Sequence, residues 1–302
     1  MSDSLGLCKL IEQFGSEEKC RRYLEMLRWD DTVLCPRCMS DKISRIYERD
    51  QFDCDACRYQ FSVTAGTMFA DSHLPLWKWF LATYLICESK KGMSANQIKR
   101  VIGVSYKTAW YLCHRIRAAM KEVDVPKLDG ICEVDETYVG GKRKGAGERG
   151  RGVKKEVVIG IRQRGGDLRM VKVPNAQSNT LYKVIHDNID SEDVEFVMTD
   201  DFVAYQYAMG PILKDKHLTI NHSSGQYVSG DIYTNTVESA FSLLKRGIIG
   251  TWHKVSAKHL PAYLDEMCWR FNNRKNQFLF RDTLLKMLEA EHVEYKKLTS
   301  AA

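Results

Sequence analysis

Two kinds of side chain in this sequence are spaced for chemistry: paired cysteines near the N-terminus and a set of acids spread through the second half. Cys35-Pro36-Arg37-Cys38 and Cys54-Asp55-Ala56-Cys57 stand fifteen residues apart, the spacing of a tetrahedral four-thiolate zinc site. Each pair turns the chain tightly enough to offer two sulfurs to one ion. A segment this short buries too little apolar surface to fold alone, so Zn2+ here is expected to be structural. Its binding free energy, about 10–16 kcal/mol in zinc-finger peptides, doubles as folding free energy. The other six of the ten cysteines are scattered through apolar or helical contexts, which reads as free thiols in a reducing compartment.

The acids are less explicit. Strand alternation across residues 131–138 puts Asp135 on the same face as Ile131, Glu133 and Thr137, in mid-strand, where a charge does nothing for solubility. Phe196-Val197-Met198-Thr199 is a second apolar run, ending in Asp200-Asp201, and strand ends are where α/β folds gather ligands. Parity leaves both aspartates open. The third candidate, Glu238, sits on a helix beside the apolar stripe of Val237, Ala240, Phe241 and Leu244. Lys245 follows two turns later, roughly 10 Å along the axis, placed to hold a phosphate.

Three carboxylates within about 5 Å of one another repel by roughly 3 kcal/mol per pair at an effective dielectric near 20, so such a cluster calls for cations. All-oxygen ligands favour Mg2+ or Mn2+ over zinc. Two such ions suit in-line phosphoryl displacement, activating the attacking oxygen and stabilising the leaving one. Taken singly, any of the 39 acidic residues is an ordinary surface charge; the order and surroundings of these three carry the reading.

Stepping along the chain, residues 1–30 have helical periodicity and form a lead-in, and residues 31–70 alternate in short segments around the cysteines, as a zinc ribbon would. Residues 71–125 are helical. Within them Ser94 and Ser105 cap two helices separated by Gly103-Val104, the pattern of a helix-turn-helix. Its second helix would turn Ser105, Tyr106, Lys107 and Thr108 toward a DNA groove, with His114, Arg115 and Arg117 meeting phosphates; an ordinary helical hairpin with a basic face is the alternative. Residues 126–280 change to α/β character, and residues 281–302 form a C-terminal helix and tail. Between the first two α/β strands a Gly-rich basic stretch containing Lys142 and Arg143 reads as a DNA-facing loop.

The net charge of +6 suits a polyanionic partner without requiring one. No apolar run reaches eighteen residues, and the N-terminus lacks a basic stretch followed by an apolar core, so a cytoplasmic, DNA-associated protein with no membrane partner is expected.

Taken in order, Glu133-Val134-Asp135-Glu136-Thr137-Tyr138-Val139-Gly140-Gly141-Lys142, Met198-Thr199-Asp200-Asp201, Asn221-His222-Ser223 and Asn235-Thr236-Val237-Glu238-Ser239, with Leu243-Leu244-Lys245-Arg246-Gly247 following, resemble the zinc-ribbon insertion-sequence transposases of the DDE class. The resemblance runs from the ribbon to Arg270-Phe271-Asn272-Asn273-Arg274. It implies a ribonuclease H-like catalytic domain in which Asp135, Asp200 and Glu238 hold Mg2+ or Mn2+, with Asn235, one turn before Glu238, as an alternative ligand or a group that supports the ligands. It further implies that Lys245 steadies the strand and that His222 contacts the scissile phosphate or aids proton movement. The partners it implies are double-stranded DNA, as element ends and target site, and further copies of the chain in a homodimer or higher oligomer on DNA. The alternatives are a DNA-binding regulator with an inert α/β domain and a metal-dependent nuclease without strand transfer.

Overall fold

A computed structural model describes residues 5–140, 155–220 and 234–300. The chain divides into two compact units, Met1–Lys121 with Asn273–Ala302, and Glu122–Asn272.

The first unit opens with α1 (Leu7–Phe14) and α2 (Glu17–Trp29). The lead-in is therefore two helices, because Ser16 ends one periodic run and starts the next: its hydroxyl accepts from the Lys19 amide at 3.3 Å, and Glu17 and Glu18 fill the first turn, where the helix dipole favours acids. The ribbon follows as β1 (Ile43–Ile46), β2 (Gln51–Cys54) and β3 (Gln60–Phe61), an antiparallel sheet in that order.

Next come α3 (Leu76–Glu88), α4 (Ala95–Ile102) and α5 (Tyr106–Ala119). Eight of the thirteen residues of α3 are buried, among them Trp79, Phe80, Ile86 and Cys87, more than one face of the helix would supply, so α3 packs against neighbours on several sides. Ser94 and Ser105 cap α4 and α5 by accepting from the Gln97 and Thr108 amides, both at 3.1 Å. Gly103 ends α4 at φ 63°, a left-handed conformation that glycine adopts without a Cβ penalty.

The second unit contains β4 (Leu128–Val139), β5 (Glu156–Gln163), β6 (Leu168–Val173), α6 (Ser178–Asn188), β7 (Ile189–Asp200), α7 (Val203–Ala208), α8 (Gly210–Leu213), β8 (His217–Ile220), α9 (Asn235–Gly247) and α10 (Leu260–Asn272). Its five strands run in the order β6-β5-β4-β7-β8. The first three are joined antiparallel, whereas β7 pairs parallel to β4 and β8 parallel to β7. Both faces are covered, so β5 reads as a continuous apolar run split by parity. Val157, Ile159 and Ile161 join α6, α7 and α8 in one core, while Val158 joins α9 and α10 in the other.

The chain then returns to the first unit with α11 (Leu279–Glu289) and α12 (Tyr295–Thr299). Phe280 sets its ring 5.8 Å from that of Phe80, and Thr283 meets Cys87 at 3.3 Å, which seats α11 on α3. No helix among the described residues is long and apolar enough to cross a membrane.

Candidate active site and zinc centre

The four cysteines converge as their spacing predicts. Their sulfurs all lie within 4.8 Å of one another, with Cys35 to Cys57 and Cys38 to Cys54 at 3.6 Å. Ligands about 2.3 Å from a tetrahedral zinc stand roughly 3.8 Å apart, whereas a disulfide needs about 2.05 Å; the cysteines are free thiols shaped for an ion. The two knuckles are built alike. Met39 and Arg58 each donate their amide to the carbonyl of the first cysteine of the pair, Cys35 at 2.9 Å and Cys54 at 2.7 Å. Both residues take positive φ, 59° and 57°. Behind the sulfurs, Trp29, Phe52 and Phe61 form the ribbon's small core.

In the second unit the sheet register brings two acids together. Glu133 on β4 pairs with Met198 on β7; two residues further along each parallel strand stand Asp135 and Asp200, on the same face. On its other side Asp135 pairs with Gly160 of β5. A Cβ at Gly160 would lie 2.7 Å from Phe241 and 2.9 Å from Val237 of α9. Glycine there lets α9 sit against the sheet directly opposite Asp135, on the face to which Asp135 points. That seat brings Glu238, which follows Val237, within electrostatic range of Asp135.

Electrostatics register the approach. Burial pushes the Asp135 carboxyl up to about 7, and the charges of Glu136, Asp200 and Glu238 add to the rise against the Glu136 amide donated at 2.8 Å. A carboxyl held off its ionised form by burial and three like charges is one that a divalent cation would relieve. Among the described residues only the four cysteines are gathered closely enough to hold an ion as they stand; the carboxylates feel one another without forming such a cluster, as mutual repulsion dictates. The Asp200 carboxylate accepts from the Phe202 amide at 3.1 Å, and Glu238 from the Thr234 hydroxyl at 3.2 Å. Asp201 lies past the end of β7, whereas Asp200 is its last residue.

Two further groups shape this end of the sheet without a sequence signal read for them. Tyr205, fully buried, donates its hydroxyl to Glu136 at 2.7 Å, tying α7, the helix that follows Asp200, to the strand that carries Asp135. Glu136 is raised by burial first, with the Asp200 charge adding to it. For Gly160 a signal was present and went unread: a glycine inside the apolar run Val157-Val158-Ile159-Gly160-Ile161 marks a close backbone approach.

The residues expected to face DNA divide into three groups. Ser105, Tyr106 and Lys107 are exposed at the start of α5 and Thr108 is half-buried; Lys245 is exposed in the last turn of α9. Arg115 is not at a surface. It is 1% exposed, and its guanidinium donates to the carbonyls of Met68 and Ala70, the latter at 2.7 Å, between the rings of Trp79 and Tyr111. The expectation of a phosphate contact is thus corrected: every residue from Leu112 to Arg117 is buried, so this stretch of α5 is enclosed on all sides and the long side chain reaches backbone carbonyls instead of solvent. His114 and Arg117, each 1% exposed, share that correction. His222, Lys142 and Arg143 lie outside the described residues.

Comparison with known proteins follows the same division. Residues 127–272 match the ISXO2-like transposase domain, and residues 15–60 the transposase zinc-ribbon domain. The chain is 31% identical over 278 residues to an uncharacterized protein in transposable element ISH50 of Halobacterium salinarum, covering 84% of this chain and 90% of the relative. It is 30% identical over 118 residues to an uncharacterized transposase-like protein of Haemophilus influenzae, covering 38% of this chain and 91% of that one. Among solved structures, the Mos1 strand transfer complex aligns with 70% of this chain and 75% of its own at 12% identity, with a TM-score of 0.30.

Proposed function

The chain belongs to the ISXO2-like insertion-sequence transposases with a zinc ribbon, and from that premise we propose that it cuts DNA at the ends of its element and joins them to a target. Asp135, Asp200 and Glu238 would hold two Mg2+ or Mn2+ ions, and Cys35, Cys38, Cys54 and Cys57 the structural Zn2+. The observation that carries this reading is the meeting of Asp135 and Asp200 across β4 and β7 beneath the helix of Glu238, with Asp135 raised by all of their charges. The strand order, three antiparallel strands followed by two parallel ones, supports a ribonuclease H-like catalytic domain.

When bound, the ions supply Lewis-acid activation of the attacking and leaving oxygens. The chain's own contribution is position and charge. Asp135, whose carboxyl feels the charges of both Asp200 and Glu238, would hold the ions together with them. Asp200 is fixed at the strand end by the Phe202 amide and by Tyr205 gripping Glu136. Lys245, about 10 Å along α9 from Glu238, holds the incoming strand, and the exposed start of α5 with Lys107 reads the element end in helix-turn-helix fashion. The 3′ hydroxyl freed by hydrolysis then attacks target DNA by transesterification, with no covalent protein–DNA intermediate.

The test is product analysis. Purified protein with Mg2+ or Mn2+, DNA carrying the element's terminal repeats and a supercoiled target should yield free 3′ hydroxyls at the element ends, then ends joined to the target. Cleavage without joined product would favour the plain nuclease, and specific end binding without cleavage the inert regulator.

A further inference from the structure

Resting on that metal reading, we propose that Glu133 is a positioning residue that sets the third metal ligand by clamping the first turn of its helix to the strand of the first. Glu133 lies on β4 two residues before Asp135 and on the same face, and it is fully buried. A buried carboxylate is costly unless every oxygen is partnered, and here the partners reveal the purpose. One oxygen accepts from the Thr236 amide at 3.0 Å, the Thr236 hydroxyl at 2.7 Å and the Val237 amide at 3.1 Å. The other accepts from Arg164 Nε at 2.9 Å.

Thr236 and Val237 are the second and third residues of α9, whose opening amides have no partner within the helix. Ordinarily the residue just before a helix satisfies them, yet Thr234 makes no side-chain cap here and directs its hydroxyl to Glu238 instead. Glu133 takes over the cap from a different element, 103 residues away in sequence. Its charge also sits at the positive end of the helix dipole. The consequence is geometric. Glu238 is in the same first turn as the clamped amides, so its Cα is fixed relative to Asp135 through a single side chain rather than through the residues that lead into α9. Gly160 fixes how closely the helix approaches the sheet; Glu133 fixes its position along the strand.

The experiment is direct Mn2+ binding to the full-length, zinc-loaded chain, followed by the loss of the free Mn2+ electron paramagnetic resonance signal, for wild type, Glu133→Gln, Glu238→Gln and the double variant, with Asp135→Asn defining the site. Glutamine keeps the size and one carbonyl oxygen but turns a donor amide toward Arg164. Residues that orient metal ligands change affinity by 10- to 100-fold, so Glu133→Gln should weaken Mn2+ binding by roughly tenfold. A residue acting only through Glu238 should add nothing further in the Glu238→Gln background, whereas a general structural loss would add there too. Amide hydrogen exchange at Thr236 and Val237 should accelerate in Glu133→Gln while zinc content stays unchanged.

Wild-type binding with Glu133→Gln folded and equally tight would overturn the clamp alone, as would full additivity with Glu238→Gln. Wild-type protein showing no Mn2+ site sensitive to Asp135→Asn would overturn the metal reading and the clamp with it. Should Glu133→Gln not fold, Thr236→Val decides the matter: it removes one of the four contacts and should weaken Mn2+ binding about threefold, and unchanged affinity would count against the clamp.

Discussion

Replacing Gly160 with alanine tests how the second unit assembles its carboxylates. The added Cβ would stand 2.7 Å from Phe241 Cζ, 2.8 Å from its Cε1 and 2.9 Å from Val237 Cγ2, where carbon atoms normally rest about 3.5–4.0 Å apart. Both neighbours are buried, Val237 fully and Phe241 at 4% exposure, so neither ring nor methyl has room to swing away. Helix α9 must therefore retreat by roughly 0.8–1 Å. Overpacking of this kind costs about 1–3 kcal/mol, and a displacement near 1 Å at a reacting centre costs on the order of 10²-fold in rate. Urea unfolding of the zinc-loaded protein without Mg2+ or Mn2+, and single-turnover cleavage of an element end once either ion is added, run on the same preparations, measure the two effects. Trimming the obstacle in Gly160→Ala/Phe241→Leu should restore much of both. A Gly160→Ala protein that unfolds at lower urea yet cuts at the wild-type rate would refute the argument that this seat places Glu238.

Other expectations follow from the same structure. Burial holds the Asp135 carboxyl up at about 7 against an ordinary 3.8, so the folded state binds that proton more tightly than the unfolded chain; without Mg2+ or Mn2+ the Glu122–Asn272 unit should lose stability as pH rises from about 4 to about 7, level off above, and lose that slope in Asp135→Asn, as thermal melts across the range would record. Cys54→Ser or zinc chelation should unfold the ribbon and weaken binding to element ends while the melt of the Glu122–Asn272 unit is unchanged; intact binding after verified zinc loss would count against the ribbon's role. Arg115→Ala should destabilise its unit by about 1–3 kcal/mol, since the Met68 and Ala70 carbonyls lose their donor. Lys107→Ala should instead leave the melting temperature alone and reduce the salt dependence of DNA binding by about one counterion.

The sequence made some parts of this protein legible and left others hidden, for physical reasons. The ribbon could be read because zinc demands four thiolates at a spacing that chance seldom supplies, and the structure draws those sulfurs together. Ser94, Gly103 and Ser105 announced two helices because capping is a local interaction. Asp135 stood out as a charge in mid-strand. Asp200 could not be separated from Asp201 by parity, because the choice depends on where β7 ends relative to β4, which is a matter of register between distant segments. Arg115 misled because a basic residue on a helix expected to meet DNA looks like a phosphate contact until its carbonyl partners, 45 and 47 residues away, are seen. Glu133 and Tyr205 were silent for the same reason: their partners lie 103 and 69 residues off, and nothing local marks a carboxylate as a helix cap for another element. The short strand β8 and the return of α11 to the first unit are likewise products of tertiary pairing.

The central claim, that Asp135 anchors a metal-dependent cutting site, is tested most directly by comparing wild type and Asp135→Asn on DNA bearing the element's terminal repeats, with binding and Mg2+- or Mn2+-dependent cleavage measured in parallel. Asparagine keeps the shape of the side chain and removes its charge, so end binding should be retained while cleavage falls by at least about 10³-fold. Cleavage by Asp135→Asn at the wild-type rate would contradict the account.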